Sequence, residues 1–183
     1  MEGMKAASAT LSRATGFFGA GYGLDGPHRA KVIGNGLREL DRFLNLLLDE
    51  VAAVLGLPNR SVFVRQRNTA NKLRAIERAM ACPSGDAERL RAIGRARDAL
   101  FHCAGIVRRA DDRGGDRMTM GWRAPCVAVG DPIAVGAIEL ASICRFYDRI
   151  ARRLIAACED YGAGATAITA SASVRMPVGI ALS

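Results

Sequence analysis

The chain has 183 residues, a net charge of +8 and only 5% aromatic residues, a size that one domain with a sizeable core accommodates. Ala and Leu dominate its apolar half, which favours helices over a β-sandwich. Lys occurs only at positions 5, 31 and 72, so the basic surplus is almost all Arg. Arg suits bidentate phosphate contacts, and a polyanion such as RNA is the partner this balance fits.

Residues 1–33 are rich in Gly and Ala without a clear period and read as an irregular N-terminal segment. Gly19-Ala20-Gly21-Tyr22-Gly23 has no strand before it and no Gly-Lys-Ser/Thr after it, so a phosphate loop is not expected. No continuous apolar h-region marks a signal peptide. A first strong helix is expected from about 37 to 55. Leu37, Leu40, Leu44, Leu47, Leu48, Val51 and Leu55 repeat there at helical spacing, and Phe43, Leu46 and Val54 widen the face. Gly56-Leu57-Pro58-Asn59 stops it. A second helix is expected over 62–81. Gln66, Ala70, Leu73, Ile76 and Met80 point inward, and Arg65, Arg67, Asn71, Lys72, Arg74 and Arg78 lie on the outer face.

A third helix is expected over 85–110, with Ser84 as N-cap and Asp86 and Glu88 complementing its dipole. Asp111-Asp112-Arg113-Gly114-Gly115-Asp116 then breaks the chain, and 118–122 and 126–129 could pair as a short hairpin. Asp131-Pro132 opens a fourth helix over 133–161, with Leu140, Ile143, Cys144, Tyr147, Ile150, Ala151, Leu154 and Cys158 as its stripe. Residues 162–183 read as a C-terminal tail, either frayed or a strand beside the hairpin. The sum is an all-α antiparallel bundle of four, up to five, helices over 34–161 with a small hairpin before the last helix.

Five cysteines without a Cys-x-x-Cys read as reduced core thiols in a cytoplasmic protein, not as disulfides or a zinc site. No apolar run reaches the roughly 18 residues of a membrane span. No cofactor is expected, and too few His, Asp and Glu stand at ligand spacing to expect a metal. Trp122, Tyr147 and Tyr161 could line an interior pocket, but read more simply as core.

Chemistry concentrates in Arg97-Asp98-Ala99-Leu100-Phe101-His102, which holds one of two histidines. On a continuous helix Arg97 and His102 fall about 140° apart and flank a strip holding Gly94, Phe101 and Gly105. Gly inside a helix costs about 1 kcal/mol against Ala. Close approach by a second copy of the helix would offset that cost, so this strip is expected to be a homodimer seam. Asp98 is four residues before His102 and could orient its imidazole. Arg97 could hold a phosphate and stabilise its developing charge, while His102 acts as base or acid on ribose and leaving oxygens. Arg91, Arg95 and Arg109 would supply further RNA contacts.

Arg97-Asp98-x-x-x-His102 resembles the signature of the HEPN superfamily, an Arg followed after four to six residues by His, commonly with Asn, Asp or His directly after the Arg. The resemblance covers about residues 35–161. It implies a compact, usually dimeric helical bundle with Arg97, Asp98 and His102 at the dimer cleft. It also implies metal-independent endoribonuclease activity, often as a toxin with a cognate antitoxin or in defence. Other members of the superfamily bind RNA or nucleotides without cutting.

Overall fold

The structure is a computed structural model that describes residues 2–19, 28–122 and 126–173. Among them the chain forms α1 (Glu2–Gly19), α2 (Arg29–Val54), α3 (Arg60–Arg65), α4 (Thr69–Ala79) and α5 (Asp86–His102). Strands β1 (Arg117–Thr119) and β2 (Cys126–Ala128) follow, then α6 (Ala137–Ser173). It is an all-α bundle with one small antiparallel hairpin, in which Met118 pairs with Val127. The glycine-rich stretch 20–27 and residues 174–183 lie outside the described residues.

Helix α2 is central because its apolar arc is wide. It contacts α1, α3, α4, α5 and α6. Leu37, Leu40, Leu44, Leu47, Leu48 and Val51 are fully buried, while Leu46 is exposed. The α6 stripe from Leu140 to Cys158 is buried in full, as its period implies. Against it, and against α2, packs an element that composition hid. Residues 2–19 form α1, not an irregular segment, with Met4 and Leu11 buried in the common core. Its small residues blur the apolar period, so the helix shows itself only through its partners. The expected tail is also corrected as far as it is described, because α6 runs to Ser173 and neither frays nor joins the hairpin before that point.

The expected second helix is two helices. Gln66 takes an extended conformation, and the Asn68 side chain caps α4 by accepting from the Asn71 N–H at 3.0 Å. That cap satisfies one of the donors a new helix start leaves unpaired. Gln66 is therefore exposed, not inward, and Lys72 is buried, not on the outer face. Lys72 Nζ meets Asp49 at 2.6 Å and lies 5.4 Å from the Phe63 ring, which ties α4 and α3 to α2.

The third helix stops eight residues early, at His102. Ala104 and Gly105 both take positive φ, 51° and 83°. The Gly105 N–H closes the last turn on the Ala99 carbonyl at 3.0 Å, a left-handed helix end that glycine favours. The N-cap of α5 is Gly85, in the left-handed region and without a side-chain cap, and not Ser84 as expected; Ser84 stands one residue further out and accepts from the Asp86 N–H at 3.1 Å. The expected start of the last helix at 133 moves to Ala137, where Glu139 reaches back to the Gly136 N–H at 2.9 Å.

The hairpin is clamped to α5 through Gly121. A Cβ there would fall 2.2 Å from Ile93 Cγ1 and 2.9 Å from the Arg89 carbonyl. Arg89 Nε donates to the Gly121 carbonyl at 2.7 Å. Replacing Gly121 by Ala should therefore force the hairpin off α5 and lower stability by about 1–3 kcal/mol. A thermal or urea unfolding midpoint unchanged from the parent would contradict that contact.

Candidate functional site

Arg97 lies on the inner edge of α5 and is spoken for from two sides. Its Nη1 donates to Asp41 Oδ2 of α2 at 2.8 Å. Its Nε and Nη2 both donate to Asp98 Oδ1, at 3.0 and 2.9 Å. Thr69, at the start of α4, hydrogen-bonds Asp41 and accepts from the Asn45 amide. The buried Tyr147 phenol of α6 also reaches Asp41. Four helices thus meet in one polar network.

The electrostatics of this network are asymmetric. Burial pushes the Asp41 carboxyl above the usual carboxylate value, and the Arg97 charge and the bonds from Thr69 and Arg97 pull it back without cancelling. Burial also works against the charge of Arg97, yet Asp41 and Asp98 together outweigh it and raise its pKa. The partners differ because Arg97 faces two carboxylates, whereas Asp41 has one guanidinium and the added repulsion of Asp98. Burial, with the Asp41 charge beside it, likewise holds the Tyr147 phenol well above its usual value. Two carboxylates on one guanidinium leave no surplus positive charge at Arg97 for a phosphate.

His102 stands apart from this network. It is the exposed last residue of α5, with its ring edge-to-face on Phe101 at 4.8 Å and 84°. The expected Asp98–His102 pairing is not made, because the Asp98 carboxylate turns back onto Arg97. The expected strip also breaks. Gly105 lies past the helix end, where a Cβ would meet Ala30 at 3.3 Å. Phe101 packs on its own α2, with its backbone N 2.8 Å from where a Gly34 Cβ would be. Gly94 alone remains open, with nothing within 4 Å of its Cβ direction. The early stop of α5 is the physical reason that Gly105 leaves the strip, because a strip along one helix needs the helix to continue.

The expected RNA contacts divide. Arg91 donates to Glu88 and to Asn71, each at 3.0 Å. Arg95 pairs with Asp111 at 2.8 Å. Both line, with Arg67, Gly94, Arg97 and Asp98, a cleft of about 340 Å3 at the start of α4. Arg109 is exposed on the loop after α5, outside that cleft. His102 is not among the residues lining it.

Several residues beside the motif were passed over in the sequence. Asp41 could have been found, since a carboxylate at the spacing 37, 41, 44, 48 falls on an apolar stripe and calls for a buried partner. Lys31 and Arg38 carry no comparable signal. They come within 5.9 and 4.8 Å of the Phe101 ring centre only because α2 and α5 cross at Gly34.

A larger pocket, about 750 Å3, lies between α5, the hairpin and α6, lined by Arg89, Trp122 and Ser142 among others. Its Arg89 is committed to the Gly121 carbonyl and to the Phe146 ring at 4.3 Å. Tyr147 is core and Tyr161 is exposed, so the three aromatic residues do not share a pocket. Among the described residues no three His, Cys, Asp or Glu side chains converge as metal ligands do, and no helix is long and apolar enough to cross a membrane. The cysteines are free, Cys144 and Cys158 being buried and Cys82 and Cys126 exposed. Burial pushes the Cys144 thiol up to about 11. Comparison of the chain with protein-family models, with curated proteins and with solved structures finds no match.

Two consequences follow for Arg97 and Asp41. Arg97→Ala strands Asp41 in the interior and should cost about 3 kcal/mol. Adding Asp41→Asn should recover part of that loss, so the double variant is more stable than the sum of the single losses implies. Strict additivity in urea denaturation would remove the pair from the account. The raised Asp41 pKa also sets a pH dependence. Its native value lies above 3.8, the unperturbed value, so the native state holds the proton better than the unfolded chain does. That contribution is full below 3.8 and is lost as pH rises through the native value. Relative to Asp41→Asn, the parent should lose stability as pH rises out of the acid range and then level off. A difference constant from acid to neutral pH would contradict the shift.

Proposed function

We propose that the protein is a HEPN-like metal-independent endoribonuclease in which His102 is the acid–base group. One observation carries the reading. Within the Arg97-Asp98-x-x-x-His102 turn, the histidine ends α5 exposed to solvent and bonded to no carboxylate. A ribose 2′-OH can therefore reach the imidazole. His102 takes the 2′-OH proton, the 2′-oxygen bonds to the adjacent phosphorus, and the bond from phosphorus to the 5′-oxygen breaks. The leaving 5′-oxygen takes a proton from His102 of a second copy, in keeping with the homodimer that the family resemblance implies. The products are a 2′,3′-cyclic phosphate and a 5′-hydroxyl. The nucleophile is internal to the RNA, so the scheme calls for no metal-bound water. Arg97 and Asp98 hold α5 in place in this scheme, and Arg97 keeps two guanidinium hydrogens for a phosphate oxygen beyond those it gives to Asp41 and Asp98. Action on RNA and free thiols fit a cytoplasmic protein, and a toxin role with a cognate antitoxin is the setting the resemblance suggests.

The engagement of Arg97 by two carboxylates favours a second reading, a helical module that binds RNA without cutting it. Cleavage separates the two. Purified protein should cut single-stranded RNA in EDTA and leave cyclic phosphate ends. His102→Ala should lower the rate at least about 100-fold with the fold intact by circular dichroism. Binding without cleavage would select the second reading, and equal cleavage by His102→Ala would remove the histidine from the mechanism.

A further inference from the structure

Three of the four arginines that sequence reading assigned to RNA are already paired with carboxylates, and the fourth, Arg109, lies on the loop after α5. Arg97 is held by Asp41 and Asp98, Arg91 by Glu88, and Arg95 by Asp111. A scissile phosphate at His102 needs positive charge from elsewhere, and α2 supplies it. Lys31, Arg38 and Arg42 recur at seven and four residues, which places them within about 40° of one another on one face of the helix. They span about 16 Å along its axis. The Arg38 and Arg42 side chains are 53% and 73% exposed, and they share a single carboxylate partner, Glu39, at 3.9 and 3.8 Å, so the ridge keeps a net positive charge. Arg38 also donates to the Asn35 amide oxygen at 2.7 Å, which steadies it without spending its charge.

Phe101 stands against the middle of this ridge. Its backbone closes on Gly34, and Lys31 Nζ and the Arg38 guanidinium carbon lie 5.9 and 4.8 Å from its ring. The half-buried ring also meets His102 edge-to-face, at 4.8 Å between centroids. Two cations and the imidazole therefore all stand against one aromatic ring at the α2–α5 crossing. A positive track with an interposed aromatic is the arrangement that holds single strands, phosphates on the cations and a base on the ring.

We propose that a single strand of RNA lies along the Lys31–Arg38–Arg42 ridge of α2, with a base against Phe101 and the following phosphate beside His102. The inference rests on the RNA reading above, and it replaces the α4–α5 cleft with α2 as the phosphate-binding surface. The geometry gives Gly34 a purpose as well. Any side chain at that position would push Phe101, and His102 with it, off the ridge.

The test uses the full chain carrying His102→Ala, so that RNA stays whole, and a short unstructured oligoribonucleotide in fluorescence anisotropy over a salt series. Lys31→Ala, Arg38→Ala and Arg42→Ala combined should weaken binding by tenfold or more. They should also flatten the salt dependence by about two in log–log slope. Phe101→Leu keeps an apolar contact with α2 but removes the stacking face, and should weaken binding by about tenfold. Arg60→Ala with Arg78→Ala, on exposed positions of α3 and α4, is the control and should bind as the parent does. Equal loss in the control, or unchanged affinity and slope in the ridge variant, would overturn the proposal. The ribonuclease reading fails separately. If the unsubstituted chain does not cut RNA but the ridge variant loses binding, the track stands and catalysis falls. If the unsubstituted chain cuts RNA, and the three ridge substitutions change neither affinity in the His102→Ala chain nor cutting in a chain that keeps His102, catalysis stands and the track falls. No RNA binding by the parent overturns both.

Discussion

The Arg97–Asp41 ion pair is the constraint on which the rest of the site depends. A carboxylate on the inner face of α2 is costly to bury alone, and Arg97 of α5 is the charge that compensates it. The pair fixes how α5 lies across α2, and Thr69 and Tyr147 extend the constraint to α4 and α6. With α5 pinned there, its C-terminal turn is carried to the crossing at Gly34. Phe101 is thereby set against α2 at Gly34, with His102 next to it at the helix end.

The same pair changes what Arg97 can do. A guanidinium between two carboxylates is a strut, since its charge is matched before any ligand arrives. Arg97 can still offer a phosphate its two remaining N–H groups, but not an unmatched charge. Surplus positive charge lies instead on the outer face of α2, where Arg38 and Arg42 share Glu39, beside the one titratable side chain of the motif that no carboxylate holds. Function in this molecule divides along that line. The interior network sets the position of the helix, and the surface beyond its end meets the substrate.

Much of the bundle was legible because helical periodicity is local. The leucines of α2 and the stripe of α6 repeat at 3.6 residues, and they are buried as that repeat implies. The hairpin was legible from its two short runs around Arg123-Ala124-Pro125, although three paired residues per strand is little to read. Helix α1 was not legible, because Ala, Ser, Thr and Gly leave its two buried anchors, Met4 and Leu11, without a visible stripe. The break at Gln66 was hidden because no Pro or Gly marks it, and a single Asn cap made it. Lys72 was misread for a different reason. A lysine on a basic helix looks solvated until Asp49 of another helix stands opposite it.

The sequence by itself determined the buried faces of α2 and α6, and the spacing that sets Arg97, Asp98 and His102 on one element. Each of these depends on neighbours within a few residues, where backbone geometry is decisive. Tertiary structure alone decided what those three side chains meet. Asp41 is 56 residues from Arg97 along the chain, and Lys31 and Arg38 come to Phe101 through a helix crossing that a glycine permits. Which charge pairs with which is a matter of distance in space and of burial. For a carboxylate such as Asp98, the choice between Arg97 and His102 turned on where the guanidinium was already held.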